Sequence, residues 1–471
     1  MIKVSSQADK VCVAKVHEAG QEQVFEHWDK LSSDERKNLL AQLRDIDFQE
    51  LKRLIQQHLH NGDSAEERVL QAAQPIAAPD PEADREDFEL CRTLGEYSLK
   101  NGEVAFVTSA GSAGGEPTAE PVGLLPVGPL TGKSVFQLQS EKIKALNRRH
   151  KVSVPWLIFC HPESLETTTT YFKENGYFGL NCSDLHFFTQ EMLPVVDRRG
   201  KLLLSAPGRL ALGTKGRGGI LLQILRDEYL QSFRKDGIKH ICYFQADNPL
   251  IKVGDPVFLG LHIKNRADMS SKCVRRTDPH ESVGIFCNFN GSLGVVEHTE
   301  IDPEYSERRT EEGSLEFFAA NIANHVLTLD FLERLKEKSF SLPYHKVLRM
   351  TPHVNRSGRL VRPTEPTAIQ FQSFICDALK EAKRAPLVVV DREEEFSPIR
   401  HTGGKDSPQT AQRDLSQLYA RWLTLVCPEF AGNGHKELDR TVEISPLYAM
   451  DVAELKEKLD LPVDLTHDVL L

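Results

Sequence analysis

Apolar residues in the first hundred positions recur at helical spacing. Aromatic and aliphatic side chains between residues 25 and 51 lie three, four or seven positions apart, which is typical of amphipathic helices. Ser32 or Ser33 followed by Glu35 is a helix-start signature. We therefore predict a helical N-terminal region over residues 1–100, in which the proline-rich residues 72–86 form a linker.

From residue 101 onward, short apolar runs alternate with amphipathic segments. The runs predict strands at 104–107, 154–160, 185–188, 241–244 and 387–390, and the amphipathic segments predict helices at 134–147 and 165–174. This alternation favours an α/β sheet with helices on its faces. Two β-rich runs meet at Asn290-Gly291, which indicates a hairpin. We predict an α/β domain over 101–400 and a small C-terminal domain over 401–471, with a helix at 411–425.

Composition narrows the classes of function. A net charge of −10 over 471 residues argues against a general nucleic-acid or membrane-surface binder. No apolar run approaches the roughly 20 residues of a membrane span. The N-terminus lacks the apolar core of a signal peptide, so we predict a cytoplasmic protein. Nine cysteines without a C-x-x-C pair predict free thiols.

Three glycine-rich turns are candidates for contact with a nucleotide. The motif AGSAGG at 110–115 follows a predicted strand but lacks dinucleotide spacing. The motif GPLTGKS at 128–134 nearly matches a phosphate-binding Walker loop, although its first glycine is one residue too close, so an ordinary helix start is favoured. The motif KGRGG at 215–219 is either a surface loop or a close backbone approach to a base or sugar.

A carboxylate also stands at the end of a predicted strand. Asp247 and Asn248 follow the run at 241–244. Ligands of α/β sheets bind at the carboxyl ends of strands, and a carboxylate there can hold Mg²⁺ against phosphates. An Asp-Asn-Pro turn explains the same residues equally well.

Taken in chain order, these motifs resemble the eukaryotic-type UDP-sugar pyrophosphorylases, and among them the UDP-N-acetylglucosamine pyrophosphorylases most closely. The resemblance covers nearly the whole chain. It rests on the helical pattern at 28–47, KSVFQ at 133–137, YFGL at 177–180, FFTQEMLP at 187–194, GRGG at 216–219, DN at 247–248, VGDP at 253–256, VVEH at 295–298, NIANH at 321–325 and EFSPIR at 395–400. Many short motifs in one order are more specific than any one of them.

The resemblance implies an α/β fold whose central mixed-sheet nucleotide-binding domain is similar to the A-type glycosyltransferase fold, with helical N-terminal and small C-terminal parts. It implies uridylyl transfer from UTP to a sugar 1-phosphate with Mg²⁺ as cofactor, giving a UDP-sugar and pyrophosphate. Catalysis then depends on positioning and charge neutralisation. No nucleic acid or membrane partner is implied, and the oligomeric state stays open.

The resemblance also assigns residues to roles. It implies that the nucleotide is bound by Ala110, Gly111, Gln190 and Gly218, and that the sugar is bound by Arg217, Glu297, His298 and Asn321. It implies that Asp247 holds Mg²⁺. The catalytic cations that contact the phosphates are then Arg400 and Lys133.

Three positions depart from the family pattern by losing a cation. Glu116 falls where the family has its catalytic arginine, and Val122 and Gln370 fall where it has phosphate-binding lysines. Each lost charge-assisted contact costs about 10²–10³ in rate, although Lys133, Lys215 or Arg400 could supply charge. We therefore expect an active uridylyltransferase. The alternative is a catalytically impaired family member that binds a uridine nucleotide or UDP-sugar and acts as a sensor or regulator. The third hypothesis is that the binding pocket is lost and only the fold is kept.

Overall fold

The structure is a computed structural model that describes residues 2, 4, 6–60, 69–111, 120–428, 440–459 and 467–471. Its α-helices are α1 (Gln7–Glu18), α2 (Ser33–Arg44), α3 (Phe48–Ile55), α4 (Arg85–Lys100), α5 (Val135–His150), α6 (Leu165–Glu174), α7 (Arg217–Ile224), α8 (Asp227–Lys235), α9 (Pro256–Lys264), α10 (Pro303–Glu307), α11 (Leu329–Glu337), α12 (Arg392–Glu395), α13 (Pro408–Val426) and α14 (Val452–Lys458). Its strands are β1 (Leu70–Ala72), β2 (Ile76–Ala77), β3 (Val104–Ala110), β4 (Trp156–Cys160), β5 (Leu185–Thr189), β6 (Met192–Pro194), β7 (Val196–Asp197), β8 (Leu204–Ala206), β9 (Arg209–Leu210), β10 (Leu212–Thr214), β11 (His240–Gln245), β12 (Met269–Arg275), β13 (Ile285–Phe289), β14 (Ser292–Val296), β15 (Ala319–Thr328), β16 (His345–Arg349), β17 (His353–Val354), β18 (Leu360–Val361), β19 (Ala368–Gln372), β20 (Leu387–Val390), β21 (Val442–Glu443) and β22 (Val469–Leu470).

The chain divides into two compact units. The smaller unit contains Met1–Val69, Gln190–Gln223 and Ser341–Asp377, and the larger contains Leu70–Thr189, Ile224–Phe340 and Ala378–Leu471. These units group the segments differently from the predicted division into 1–100, 101–400 and 401–471, because α4 and the C-terminal segment belong to the larger unit. A compact unit need not coincide with a domain, so the division into three domains stays a prediction.

The smaller unit is built around the N-terminal helices. Ser32 and Glu35 form a reciprocal capping box at the start of α2, as their spacing predicts. Leu39 and Leu43 on α2 are buried in one apolar cluster with Val16 and with Phe371 of β19. Burial of these faces, rather than intrinsic helix propensity, stabilises helices of this length.

The larger unit contains a mixed sheet in the order β2-β20-β12-β15-β11-β3-β4-β5, extended by β1, β13 and β14. Strands β11, β3, β4 and β5 run parallel, whereas β15 is antiparallel to β11 and β12. The predicted α/β fold with a central mixed sheet is confirmed. The pattern did not predict β12 and β15, because the first mixes serines and charged residues with only three apolar ones and the second lacks clear alternation.

The hairpin at β13 and β14 is confirmed. Its two central residues, Asn290 and Gly291, have φ angles of 50° and 88°. Two successive positive φ angles are what a two-residue hairpin turn of the primed type needs, and the Asn-Gly pair adopts them at low cost.

The predicted linker at 72–86 is wrong in part, because two short strands begin the larger unit there. Strand β1 pairs with β13, and β2 pairs with β20 at the edge of the sheet. A strand at an edge pairs along one side only, so it tolerates the neighbouring prolines that suggested a linker.

Helices α4 and α9 approach at the level of their backbones. A Cβ atom on Gly95 would lie 1.9 Å from the Pro256 carbonyl oxygen, and one on Gly260 would lie 1.6 Å from that of Cys91. Glycine at both positions is therefore needed for this helix pair to pack behind the sheet.

The predicted free thiols are confirmed, since none of the nine cysteines forms a disulfide bond. Burial raises the pKa of Cys160, Cys242, Cys273 and Cys287 to about 12, so these thiols are unreactive. Over the part of the chain that is described, no helix is both long enough and apolar enough to cross a bilayer.

Two buried histidines make stability depend on pH. The rings of His240 and His262 lie 5.3 Å apart, and burial lowers the pKa of His240 to about 4 and that of His262 well below its usual value. Because the unfolded chain binds these protons first, this stability is complete above about pH 6.5 and is lost progressively toward pH 4. We expect His240 to make the free energy of unfolding, measured by urea denaturation, fall by about 2 kcal/mol between pH 7 and pH 5. His262 should act in the same direction.

The variant His240→Gln is the control for this effect. Its free energy of unfolding should depend less steeply on pH than that of the natural protein over the same range. Equal slopes for the two proteins would contradict the assignment to His240.

Candidate active site

The carboxyl ends of the parallel strands bring the first group of predicted residues together. Gln245 of β11 pairs with Ser109 of β3, so Asp247 and Ala110 leave the sheet side by side. The Ala246 amide donates to the Ser109 carbonyl at 3.1 Å, which extends this pairing past the end of β11. Such an edge is where α/β sheets bind ligands.

Gly111 follows the end of β3. It is exposed, and a Cβ atom there would meet no atom of the described residues within 4 Å. Its carbonyl oxygen accepts a hydrogen bond from the Val122 amide at 2.9 Å, so Val122 lies beside the strand end. The predicted catalytic-arginine position, Glu116, lies outside the described residues.

Asp247 and the segment of Arg400 are joined by the backbone. The Ile399 amide donates to the Asp247 carbonyl at 2.7 Å, so the residue before Arg400 touches the residue predicted to hold Mg²⁺. The Arg400 guanidinium lies 3.4 Å from the Asp406 carboxylate and 5.9 Å from the centre of the Phe396 ring. The predicted metal ligand and phosphate cation thus stand at one end of β11.

The predicted sugar-side residues Glu297 and Asn321 converge on Gly284. The backbone amide of Asn321 donates to the Gly284 carbonyl at 2.8 Å. A Cβ atom on Gly284 would lie 3.2 Å from a Glu297 carboxylate oxygen. His298 is the exposed neighbour of Glu297. Tyr243 of β11 pairs with His325, so the antiparallel β15 begins at the edge where Asp247 lies.

A bulge shapes β15 beside Asn321. The pairing with β12 shifts between Ser271, opposite His325, and Cys273, opposite Asn321. The Asn321 side-chain oxygen accepts from the Ala323 amide at 2.8 Å, and Ala323 has a φ angle of 53°. Bulges are enriched beside active sites, where they redirect a side chain.

A buried ion network behind this edge was not predicted. The Lys272 ammonium lies 2.6 Å from the carboxylates of both Asp255 and Glu395. Burial alone lowers the pKa of Lys272, but the two carboxylates outweigh it and hold that pKa above its usual value. A lysine in the middle of the strand MSSKCVR, rather than at its end, was the signal available in the sequence.

Lys142 supports the same loop from the other side. Its ammonium donates to the carbonyl oxygens of Pro249 and Ile251 at 2.6 and 2.8 Å. Desolvation lowers its pKa to about 7. The loop that carries Asp247 is therefore fixed by a half-buried lysine.

The Walker-like turn binds a carboxylate of this chain. The amides of Leu130 and Thr131 donate to Glu443 at 2.7 and 2.8 Å, and the Thr131 hydroxyl donates to its other oxygen. Ser134 caps α5 through the Gln137 amide. The favoured prediction, an ordinary helix start, is confirmed.

Lys133, the second predicted cation, is held by a neighbouring helix. Its ammonium lies 2.9 Å from the buried carboxylate of Glu141, which also accepts from the Ser445 hydroxyl at 3.0 Å. Contact with a phosphate would require Lys133 to leave this partner, so its role as a cation for phosphate stays a prediction.

Val122, which replaces a family lysine, is a core residue. It is 1% exposed and belongs to an apolar cluster with Val127, Val135 and Leu138. A lysine here would bring a charge into that cluster, which costs several kcal/mol unless the charge is paired. The packing of the larger unit therefore favours a neutral side chain at position 122.

The remaining predicted residues belong to the smaller unit. Gln190 is buried, and Arg217 is exposed at the start of α7. The Gly218 amide donates to the Ser373 carbonyl at 2.8 Å, and a Cβ atom there would lie 2.6 Å from the Ser373 hydroxyl, so packing explains this glycine. In the same unit the Lys215 ammonium pairs with Glu191 at 2.7 Å.

Gln370, the third position that lacks a family cation, lies on β19. Its side-chain oxygen accepts from the Gln372 amide group at 3.1 Å, and a Cβ atom on Gly213 would lie 2.6 Å from the Gln370 side chain. The position is thus filled by a packed, neutral side chain.

The residues at the β11 edge fit Mg²⁺ in one specific way. Within the described ranges, no three His, Cys, Asp or Glu side chains form a metal-binding group. Mg²⁺ is commonly held by one or two carboxylates together with substrate phosphates rather than by an all-protein cage. Asp247, half-buried at a strand end, supplies the carboxylate that this type of site requires.

A mixed sheet with Asp247 and the Arg400 segment at one end of β11 is an arrangement that α/β proteins use to bind nucleotides. The family described as UTP--glucose-1-phosphate uridylyltransferase matches residues 48–411, and the chain belongs to this family. It is therefore a UDP-sugar-forming uridylyltransferase, and the binding-only alternative is not favoured.

Curated relatives agree with this assignment, and a solved structure agrees with the fold. The chain is 34% identical over 425 residues to UDP-N-acetylhexosamine pyrophosphorylase-like protein 1 of Xenopus tropicalis, covering 87% of this chain and 83% of the relative. It is 32% identical over 427 residues to UDP-N-acetylglucosamine pyrophosphorylase of Saccharomyces cerevisiae, covering 86% and 89%. The fold matches the crystal structure of the Trypanosoma brucei uridine diphosphate N-acetylglucosamine pyrophosphorylase in complex with inhibitor, with a TM-score of 0.79, 24% identity and coverage of 100% and 99%.

Proposed function

We propose that this protein forms a UDP-N-acetylhexosamine and pyrophosphate from UTP and an N-acetylhexosamine 1-phosphate, in the cytoplasm and with Mg²⁺. The observation that carries the proposal is the meeting of Asp247, the Arg400 segment and the end of β3 at one edge of the sheet. The names of the relatives from Xenopus tropicalis and Saccharomyces cerevisiae support an N-acetylated sugar.

The proposed reaction is an in-line displacement at phosphorus. A phosphate oxygen of the sugar 1-phosphate attacks the α-phosphorus of UTP, the bond from that phosphorus to its bridging oxygen breaks, and pyrophosphate leaves with the electron pair. When bound, Mg²⁺ neutralises charge on the phosphates. Asp247 would hold that ion against the phosphates, and the Arg400 guanidinium would stabilise the negative charge that develops.

The sugar is held on the other side of the same edge in this proposal. Glu297 and Asn321, which meet at Gly284, offer a carboxylate and an amide to the sugar hydroxyl groups. Ala110 and Gly111 offer backbone groups to the uracil or ribose from the end of β3. A site built to hydrogen-bond a substrate group discriminates strongly against an analogue that lacks it.

The direct test measures pyrophosphate release from UTP, Mg²⁺ and a panel of sugar 1-phosphates. We expect turnover with N-acetylglucosamine or N-acetylgalactosamine 1-phosphate to exceed turnover with glucose 1-phosphate by at least about 10-fold. A heat-inactivated sample is the control. Equal release in the two samples for every sugar would refute the proposed reaction, and a preference for glucose 1-phosphate would refute the proposed sugar.

A further inference from the structure

Two segments of the proposed site share one buried anchor. Lys272 is 1% exposed, and its ammonium lies 2.6 Å from Asp255 and 2.6 and 2.8 Å from the two carboxylate oxygens of Glu395. Asp255 closes the loop that begins at Asp247, and it caps α9 through the amides of Val257 and Phe258. Lys272 therefore ties the far end of the Asp247 loop to the segment that leads to Arg400.

The two segments are also joined directly through Asn248. Its side-chain amide donates to the Glu395 carbonyl at 2.7 Å, and its side-chain oxygen accepts from the Ser397 amide at 3.1 Å. The Ile399 amide then reaches the Asp247 carbonyl. These bonds fix the backbone from Glu395 to Arg400 against the backbone on either side of Asp247.

We propose that Lys272 is a positioning residue for uridylyl transfer, because it holds the loop of Asp247 and the segment of Arg400 in one fixed arrangement through Asp255 and Glu395. This inference rests on the proposed function of Asp247 and Arg400. Lys272 touches no reacting atom. Its effect arises because a displacement of about 1 Å at a phosphoryl-transfer site can lower the rate by as much as 10².

A purely stabilising role gives a different expectation. Removing one partner of a buried ion pair leaves an uncompensated charge and destabilises the fold wherever the pair lies. Arg276 provides a comparison, since it follows β12, is buried, and its guanidinium donates to neutral oxygens of Pro279, Ser306 and Phe317. If Lys272 merely stabilises the protein, Lys272→Met and Arg276→Met should have similar effects on turnover.

The experiment compares the purified full-length variants Lys272→Met, Glu395→Gln and Arg276→Met. We expect Lys272→Met to lower kcat by about 10-fold to 10²-fold and to raise the Mg²⁺ concentration that gives half-maximal turnover. Glu395→Gln keeps a hydrogen-bond acceptor of the same shape, so it should show a smaller change in the same direction and is the variant measured if Lys272→Met does not fold. Arg276→Met should lower the melting temperature with kcat within about 2-fold of the natural protein, since the partners of its guanidinium, Pro279, Ser306 and Phe317, belong to neither segment.

Hydrogen exchange provides a measurement independent of turnover. The amides of Ile399 and Arg400 are bonded to the carbonyls of Asp247 and Asp406. They should exchange faster in Lys272→Met and Glu395→Gln, but not in Arg276→Met. Unchanged exchange and unchanged kcat in both network variants, or equal losses in Arg276→Met, would overturn the inference. If the natural protein shows no turnover with any sugar, the proposed function fails and the exchange comparison alone decides the inference.

Discussion

Asp247→Asn should lower turnover by about 10²–10³-fold at a fixed Mg²⁺ concentration. The substitution removes one negative charge and keeps the size of the side chain. The bond from the Ile399 amide to the residue 247 carbonyl is made by the backbone, so the fold of the loop should be retained. Pyrophosphate release over a range of Mg²⁺ concentrations measures the effect, and the concentration for half-maximal turnover should rise.

The matched control is Asp391→Asn. Asp391 is an exposed carboxylate that accepts from the Glu393 amide at 3.0 Å at the start of α12, in the unit that carries Asp247. Asparagine caps helices as well as aspartate does, so this variant should keep wild-type turnover and the wild-type Mg²⁺ requirement. Wild-type behaviour of Asp247→Asn would remove Asp247 from the proposed metal site.

The sheet was the most predictable part of this chain. Strands β3, β4 and β11 are buried runs of apolar residues, and such runs are recognisable without knowledge of their neighbours. Strand β12 escaped recognition because Lys272 interrupts it, and its burial makes sense only once Asp255 and Glu395 lie beside it. A charge that is paired across the fold cannot be distinguished from an exposed charge by local pattern alone.

Part of the candidate site was predictable for a different reason. Asp247 lies at the end of a strand, where a carboxylate has a clear topological meaning. The convergence of Glu297 and Asn321 on Gly284 was not predictable from spacing, because it depends on an antiparallel strand with a bulge. Their assignment came from the resemblance to the family.

The lysine positions also show that the local sequence pattern does not reveal which residues pair across the fold. Lys133 was a plausible phosphate cation on charge alone, and its partner Glu141 becomes visible only when α5 brings the two side chains together. Val122 differs from the family lysine, and its burial explains why a neutral side chain is compatible with the fold. Among the predicted cations of the larger unit, we therefore expect Arg400 to contribute most to neutralising the charge of the phosphates.

Arg400→Met should reduce kcat/KM by about 10²–10³-fold, the cost of losing one charge-assisted contact to a transferring phosphoryl group. Methionine keeps much of the length of the side chain. The bonds from the amides of residues 400 and 401 to the Asp406 carbonyl, at 2.7 and 3.0 Å, are made by the backbone and should persist. Pyrophosphate release at limiting UTP measures the loss.

Two further variants make the result specific to charge at this position. Arg400→Lys keeps the positive charge, so it should retain turnover within about 10-fold, with the difference due to the lost planar fork. Arg413→Met removes an exposed arginine on α13 whose partner is Asp414 at 2.9 Å, and surface pairs of this kind contribute little. Equal losses in Arg400→Lys and Arg400→Met would assign the effect to the shape of the side chain, and full activity of Arg400→Met would show that another cation neutralises the phosphates.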